Sequence, residues 1–303
     1  FRNFTSLHLR FESSHTLVFG PNGRGKSNVL EAISYLSIGK SARGVKDAQA
    51  VPHAGDFFDI RGLYRVDSRT QKLRLFLGKK EGKKAFLDDN ALPRVADILG
   101  HFRTVHFSPE DVSLVLRFPA QRRRMLDILL SQSSASYLRD LQTYQRVLQQ
   151  RNSLLREAKK KACTQLSEAE LGPWDSQLAD FGARIRTARF EALDILRGPF
   201  VALYDRFSPS GETSDIRYKG VMSECNVEDF EQVLVEELRR KRLQEMHVGH
   251  TLCGPHRDDV SFDLNGQSAD LYASEGQLKT ILISWKLAEC VYLAQQCDHQ
   301  PVV

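Results

Sequence analysis

The chain has 303 residues, 41% hydrophobic, 27% charged and 9% aromatic, which excludes a disordered or low-complexity protein and provides for roughly two folding units. Its formal net charge is +5, yet residues 101–161 hold 12 Lys+Arg against 5 Asp+Glu, a +7 stretch in a chain whose remainder is −2; this points to a polyanionic partner or, on charge alone, equally to a solvated helix face. The five cysteines are odd in number and form no CxxC pair, which excludes a zinc ribbon and suits reduced thiols, while the longest apolar runs are too short to span a bilayer.

Phe4, Leu7, Leu9 and Phe11 alternate with polar residues, which predicts a strand with no leader peptide ahead of it, and Leu17-Val18-Phe19 predicts a short buried one. A Gly-rich turn follows, then a helix from about Lys26 to Leu36 with Val29, Leu30, Ile33 and Leu36 on one face and Gly39 as its stop. Strand patterning returns from Ile60 to Leu87, with a basic hairpin tip at Gly78-Lys79-Lys80-Glu81-Gly82, as in a small antiparallel sheet. From Pro119 to Phe207 the register is helical: Tyr137, Leu141, Tyr144, Leu148 and Leu155 form one apolar face, and Arg139, Arg146 and Arg151 lie elsewhere. Gly172-Pro173 and Gly198-Pro199 are expected to interrupt this span. A Ser/Gly/Pro-rich loop at 208–214 leads to a helix carrying Arg239-Arg240-Lys241-Arg242. A strand over Val260–Leu264 turning at Asn265-Gly266, and a last helix from Gly276 to Gln296, complete the chain.

Gly20-Pro21-Asn22-Gly23-Arg24-Gly25-Lys26-Ser27 fits GxxxxGK[ST] in full, between a predicted strand and a predicted helix. Glycines let the backbone wrap a phosphate, and the N–H groups of the loop and helix start supply positive potential. Lys26 is placed to reach the β- and γ-phosphates and the Ser27 hydroxyl to hold Mg²⁺. An acidic strand end normally completes such a site. Asp88 after Ala85-Phe86-Leu87 is one candidate, and Asp205 after Val201–Tyr204 is a poorer one in helical context. The third and favoured reading is that Pro301-Val302-Val303 begins the relevant strand and the chain is truncated before its acidic end.

Ser274-Glu275-Gly276-Gln277 opens the last helix, and by itself reads as an ordinary helix cap. With a P-loop far upstream, however, its Ser-x-Gly-Gln pattern is similar to the signature of ABC-type ATPases, where a serine hydroxyl and a helix dipole are aimed at the γ-phosphate held by the other subunit. The chain carries, in order, FRNFTSLHLRF at the start, GPNGRGKSNVLEAI, VHFSPEDVSLV, RRRMLD, YQRVLQQRNSLL, GPHRDDVSF and ASEGQLKTILISWKLAE. By this series the whole chain resembles the RecF family of bacterial recombination mediators, in the structural-maintenance-of-chromosomes branch of the ABC ATPases.

The resemblance implies an α/β fold: an SMC-head-like P-loop domain with a mixed sheet, formed by 1–118 and 245–303, and an inserted helical lobe at 119–244. It implies that Gly20–Ser27 bind ATP with Mg²⁺, and that Ser274, Gly276 and Gln277 close over the nucleotide of a second copy in an ATP-dependent homodimer. It further implies a cytoplasmic, nucleoid-associated protein with no membrane partner. That protein binds double-stranded DNA and single/double-strand junctions, and acts with RecO and RecR to load recombinase at gaps in repair, replication restart and the SOS response. Slow ATP hydrolysis is implied for the intact protein and little or none for this chain.

Candidate DNA contacts are Arg122, Arg123, Arg124, Arg139, Arg146, Arg151 and Arg156, with Lys79 and Lys80 at the hairpin tip, each weighed against a plain solvated or ion-paired role. His256-Arg257-Asp258-Asp259 is expected to form a structural polar network, and His101 and His106 to be packing residues. Phe107-Ser108-Pro109-Glu110-Asp111 reads as a nucleotide-sensing turn or, equally, a helix-start cap. Two other classes compete with the DNA-binding reading. A stand-alone P-loop kinase or GTPase would use Asp88 as its metal partner, but lacks NKxD and lid patterns; a transporter ATPase subunit would not need the basic stretch.

Overall fold

The computed structural model describes all residues except 43, 54, 67, 109–110, 113–117, 162–165, 209–210, 221–225, 298 and the side chain of 228. The proposed turn residues Pro109 and Glu110, part of the 208–214 loop, and Cys163 and Cys225 lie outside the described residues. The chain divides into two compact units, Phe1–His106 with Cys297–Val303, and Phe107–Gln296.

In the first unit, α1 (Lys26–Ile38) starts at Gly25 and stops at Gly39, whose left-handed backbone (φ 68°) lets its N–H return to the Tyr35 carbonyl. The predicted hairpins are present: β1 (Phe57–Val66), β2 (Arg69–Gly78), β3 (Gly82–Leu87) and β4 (Asn90–Ala91) form an antiparallel sheet in sequence order. Alternation puts Phe58, Ile60, Leu73, Leu75 and Ala85 on the inner face, where they bury Tyr35 and Leu36 of α1. At Gly62 a Cβ would sit 2.6 Å from Leu36 Cδ1, so the helix approaches the sheet where β1 has no side chain. Phe1, Tyr35 and Phe58 meet edge to face, with centroids 5.2–5.5 Å apart.

The two amino-terminal strands are not formed. Residues 5–20 carry no strand, and Leu7, Leu9, Phe11, Leu17 and Phe19 are exposed. Alternation confers strand preference, but a strand persists only where a neighbour takes its N–H and C=O groups, and none pairs with this segment among the described residues. Among the described residues the sheets are antiparallel, and one parallel bridge joins Thr104 to Val302.

The second unit is mainly helical. It holds α2 (Pro119–Ser133), α3 (Ala135–Lys160), α4 (Glu168–Phe207) and α5 (Phe230–Val248). The contacts Arg151–Asp175, Tyr144 beside Gly182 and Tyr137–Arg189 run in opposite senses along α3 and α4, so the two form an antiparallel hairpin. Along α4 and α5, Arg186–Glu237 and Asp175–Arg242 do the same. The expected breaks at Gly172-Pro173 and Gly198-Pro199 do not occur: α4 runs unbroken for 40 residues. A proline in a helix interior costs about 3 kcal/mol. Here it is outweighed by a buried stripe of Leu171, Leu178, Ile185, Leu193, Leu196, Phe200 and Tyr204.

Strand β5 (Ser214–Lys219), not anticipated in the sequence, pairs with β6 (Asp259–Leu264), which turns through Asn265-Gly266 into β7 (Gln267–Ser268). A short α6 (Ala269–Tyr272) precedes α7 (Glu275–Cys297), whose Trp285 packs edge-on against Phe262 at 5.4 Å.

Candidate nucleotide-binding site

The Gly20–Ser27 loop leads directly into α1 without the strand expected before it. Gly20, Gly23 and Gly25 have φ of 144°, 79° and 97°, a region that glycine alone enters at little cost. A Cβ at Gly20 or Gly23 would meet nothing within 4 Å, so one side of the loop backbone is open. Gly25 caps α1 without a side-chain acceptor; its carbonyl accepts the Asn28 and Val29 N–H groups, and those of Lys26 and Ser27 have no acceptor within the helix. The Lys26 ammonium folds back over the loop and donates to the carbonyls of Gly20 (2.7 Å) and Pro21 (2.9 Å). Pro21, Asn22, Arg24 and Ser27 are exposed. A cation over the loop, N–H donors at the helix start and an exposed hydroxyl are the donor set that a polyphosphate and its magnesium require, so these residues fit the group.

Three residues that the motif did not predict support the loop. Gly25 presses against the ring of Phe4, where a Cβ would lie 2.5 Å from Cζ. Asn3 Oδ1 accepts from Asn28 Nδ2 at 2.8 Å. Arg2 donates through Nε and Nη2 to the buried Glu31 carboxylate at 2.9 and 2.6 Å, while Ser41 Oγ donates to the same carboxylate. The first four residues cannot reveal such contacts by themselves, because their hydrogen-bond partners lie 25 and 29 positions further on.

At the second element, Ser274 and Gln277 cap α7 reciprocally. Gln277 N–H donates to Ser274 Oγ (3.3 Å), and Ser274 N–H donates to Gln277 Oε1 (2.7 Å). Gln277 Nε2 also donates to Glu212 at 2.6 Å, tying the helix start to the turn before β5. Ser274 and Gly276 are exposed, and a Cβ on Gly276 would approach nothing nearer than Ser274 Oγ at 3.8 Å.

Asp88 and Asp89 occupy the left-handed turn between β3 and β4 (φ 48° and 65°), where Asp88 accepts the Lys72 backbone N–H and Asp89 pairs with the Lys72 ammonium. They act as turn-forming carboxylates rather than a strand-end acid. Asp205 lies on α4, as its helical context predicted. Among the described residues no cluster of His, Cys, Asp and Glu could hold a metal ion, and no helix is long and apolar enough to cross a membrane.

The basic stretch separates into two groups. Arg122 and Arg151, candidates for DNA contact, are buried: Arg122 forms a bidentate pair with Asp259 (2.9 and 2.5 Å), and Arg151 is enclosed by Asp175, Glu245 and Thr251. Their charge is spent inside the fold and cannot reach a polyanion. Arg123 donates to the Asp258 carbonyl at 2.8 Å, whereas Arg139, Arg146, Arg156, Lys79 and Lys80 are exposed.

The His256–Asp259 segment forms the expected polar network. Asp258 receives Arg186 of α4 (2.8 and 3.0 Å) and the Tyr218 hydroxyl of β5 (2.7 Å). His256 Nδ1 lies 2.7 Å from the Tyr144 hydroxyl, and burial pushes its pKa down to about 4. His101 is half-buried, and desolvation lowers its pKa below the ordinary value.

A glycine-lined loop at a helix start, beside an antiparallel sheet, defines the class: a P-loop nucleotide-binding domain. The AAA domain family matches residues 1–172. The chain is 37% identical to the DNA replication and repair protein RecF of Heliobacterium modesticaldum, covering 100% of this chain and 81% of the relative. Against RecF of Chloroherpeton thalassium the identity is 34%, over 94% and 78%. A solved structure described as the recombination mediator protein RecF with ATP in the RecFOR pathway superimposes with a TM-score of 0.93 at 33% identity, covering all of this chain and 81% of that one. The chain belongs to the RecF family of DNA replication and repair proteins.

Proposed function

We propose that this chain is an ATP-dependent DNA-binding protein of recombinational repair and replication restart. ATP with Mg²⁺ occupies the Gly20–Ser27 loop, with Lys26 turning from the Gly20 and Pro21 carbonyls to the β- and γ-phosphates and Ser27 holding the metal. The observation that carries this reading is the loop itself: three positive-φ glycines, an open cradle and a lysine at its mouth. Support comes from solved relatives described with ATP and with ATPrS.

In this reading Ser274, Gly276 and Gln277 of one copy close over the nucleotide of a second copy, and the resulting dimer grips duplex DNA at junctions with single strands. Partnership with RecR and RecO in loading recombinase, a part in the SOS response and a place beside the nucleoid belong to the same proposal; what supports it is that relatives are named for DNA replication and repair and for the RecFOR pathway. Exposed Arg139, Arg146 and Lys160, at seven-residue multiples along α3, with Arg156 beside them, supply cations for non-specific backbone contact.

Light scattering on the protein with ATP–Mg²⁺ and with ADP tests the proposal. ATP is expected to double the mass, ADP to leave it unchanged, and Ser274→Arg to prevent the doubling. A protein that stays monomeric when saturated with ATP and magnesium defeats the two-copy closure.

A further inference from the structure

The two faces of the β1–β2–β3 sheet differ in kind. The inner face is the aliphatic and aromatic core already described. On the outer face, register aligns Asp59, Phe76 and Lys84 in one row across the three strands, and Arg61, Arg74 and Phe86 in the next. The Arg74 guanidinium lies over the Phe86 ring at 5.1 Å and near Phe76 at 5.8 Å, while Phe57 stacks on Phe76 at 5.7 Å with planes 30° apart.

Aromatic side chains on a solvent face lose hydrophobic stabilisation unless something covers them, yet Phe57 is 55% exposed. The face is also cationic. Arg61, Arg65 and Lys84 are exposed; Asp59 is held by Arg61 (2.7 Å) and Arg74 (2.9 Å) with only 16% of its side chain accessible, and Asp89, close enough to act on Arg61, is paired with Lys72. The negative charge of Asp59 is thus covered by two guanidinium groups.

We propose that this outer sheet face is a stacking platform for single-stranded nucleic acid. Bases lie over Phe57 and over the Arg74–Phe86 pair, since rings and guanidinium planes both offer flat surfaces that any base can use. Phosphates are met by Arg61, Arg65 and Lys84. A duplex presents its phosphates with its bases stacked inside, so it has no use for exposed phenylalanines; an unpaired strand uses both. The inference rests on the reading that the chain binds DNA, and it adds where a single-stranded arm is held.

The test is fluorescence anisotropy of the protein with labelled oligo(dT) of about 20 nucleotides, longer than a typical single site, and separately with a blunt duplex. Phe57→Ala and Arg61→Gln alter exposed side chains; Phe86→Ala, checked for folding by its thermal melt, probes the covered ring. Each phenylalanine variant is expected to weaken oligo(dT) binding by about fivefold or more, the lower end for removal of one base–aromatic stack, with duplex affinity unchanged. Equal weakening for oligo(dT) and duplex reduces the face to generic phosphate contact and overturns the proposal, as does unaltered oligo(dT) binding by Phe57→Ala and Phe86→Ala. A parent protein that binds duplex but not oligo(dT) removes the platform and leaves the DNA-binding reading standing; one that binds neither removes both.

Discussion

Arg151 of α3 and Glu245 of α5 meet as an ion pair at 2.7 Å, and neither side chain has surface accessible to solvent. Asp175 of α4 approaches the same guanidinium at 2.6 Å, so one arginine joins three helices at a point where water cannot compensate for its loss. Removing one partner of a buried pair leaves an uncompensated charge and costs about 3–5 kcal/mol. Arg151→Met is expected to destabilise the protein by about that much in urea unfolding. A change below about 1 kcal/mol, the range of exposed pairs, contradicts this account of the helical unit.

His256 makes stability depend on pH. Burial lowers its pKa from 6.5 to about 4, so the folded state favours the neutral ring and the unfolded chain binds the extra proton. The contribution is therefore complete above pH 6.5, declines as pH falls, and is gone below about 4. At 1.36 kcal/mol per unit it is on the order of 3 kcal/mol. Urea midpoints from pH 7.5 to 4.5 are expected to fall more steeply for the parent than for His256→Gln, the difference isolating this group from titrating carboxylates. Parallel curves contradict the assignment.

Gly25 tests the loop geometry. Alanine there places a Cβ 2.5 Å from the Phe4 ring at a φ of 97°, and strained backbone of this kind costs about 1–3 kcal/mol. Gly25→Ala is expected to weaken binding of a fluorescent ATP analogue at least about tenfold. Lys26→Ala, which removes the cation at the loop mouth, should reduce binding further while leaving the thermal melt nearly unchanged. Undiminished nucleotide binding by both variants removes the phosphate cradle from the reading.

The exposed arginines of α3 predict a salt effect. The slope of log K against log salt becomes shallower by about 0.9 for every phosphate that a cation ceases to neutralise. Replacing Arg139, Arg146 and Arg156 by glutamine is expected to flatten the slope for duplex DNA and to change stability by no more than about 0.5 kcal/mol. An unaltered slope transfers duplex binding to another surface.

Much of the local structure was legible in the sequence. The Gly39 stop, the Gly78–Gly82 hairpin tip and the Asn265-Gly266 turn each follow from backbone freedom that a few residues confer. Local rules failed where a partner decides the outcome. Leu7, Leu9 and Phe11 alternate as a strand does and find no ladder among the described residues; Pro173 and Pro199 break helices in isolation and are overruled by a buried stripe. Strand β5 is not signalled locally because it follows a turn-rich stretch, and it is defined by its register with β6, from Ser214 opposite Leu264 to Lys219 opposite Asp259.

The order of glycines, lysine and serine from Gly20 to Ser27, and the capping pair Ser274–Gln277, were determined by sequence alone, since both depend on residues within one or two turns of each other. Tertiary structure decided which cations serve the fold and which face solvent. Arg122, Arg151 and Arg186 are chemically like Arg139 and Arg146, but the first three meet carboxylates brought from at least 24 positions away, while the last two stand exposed on α3. An arginine's role is set by whether a buried carboxylate can neutralise it, and that depends on chain segments joined only by folding.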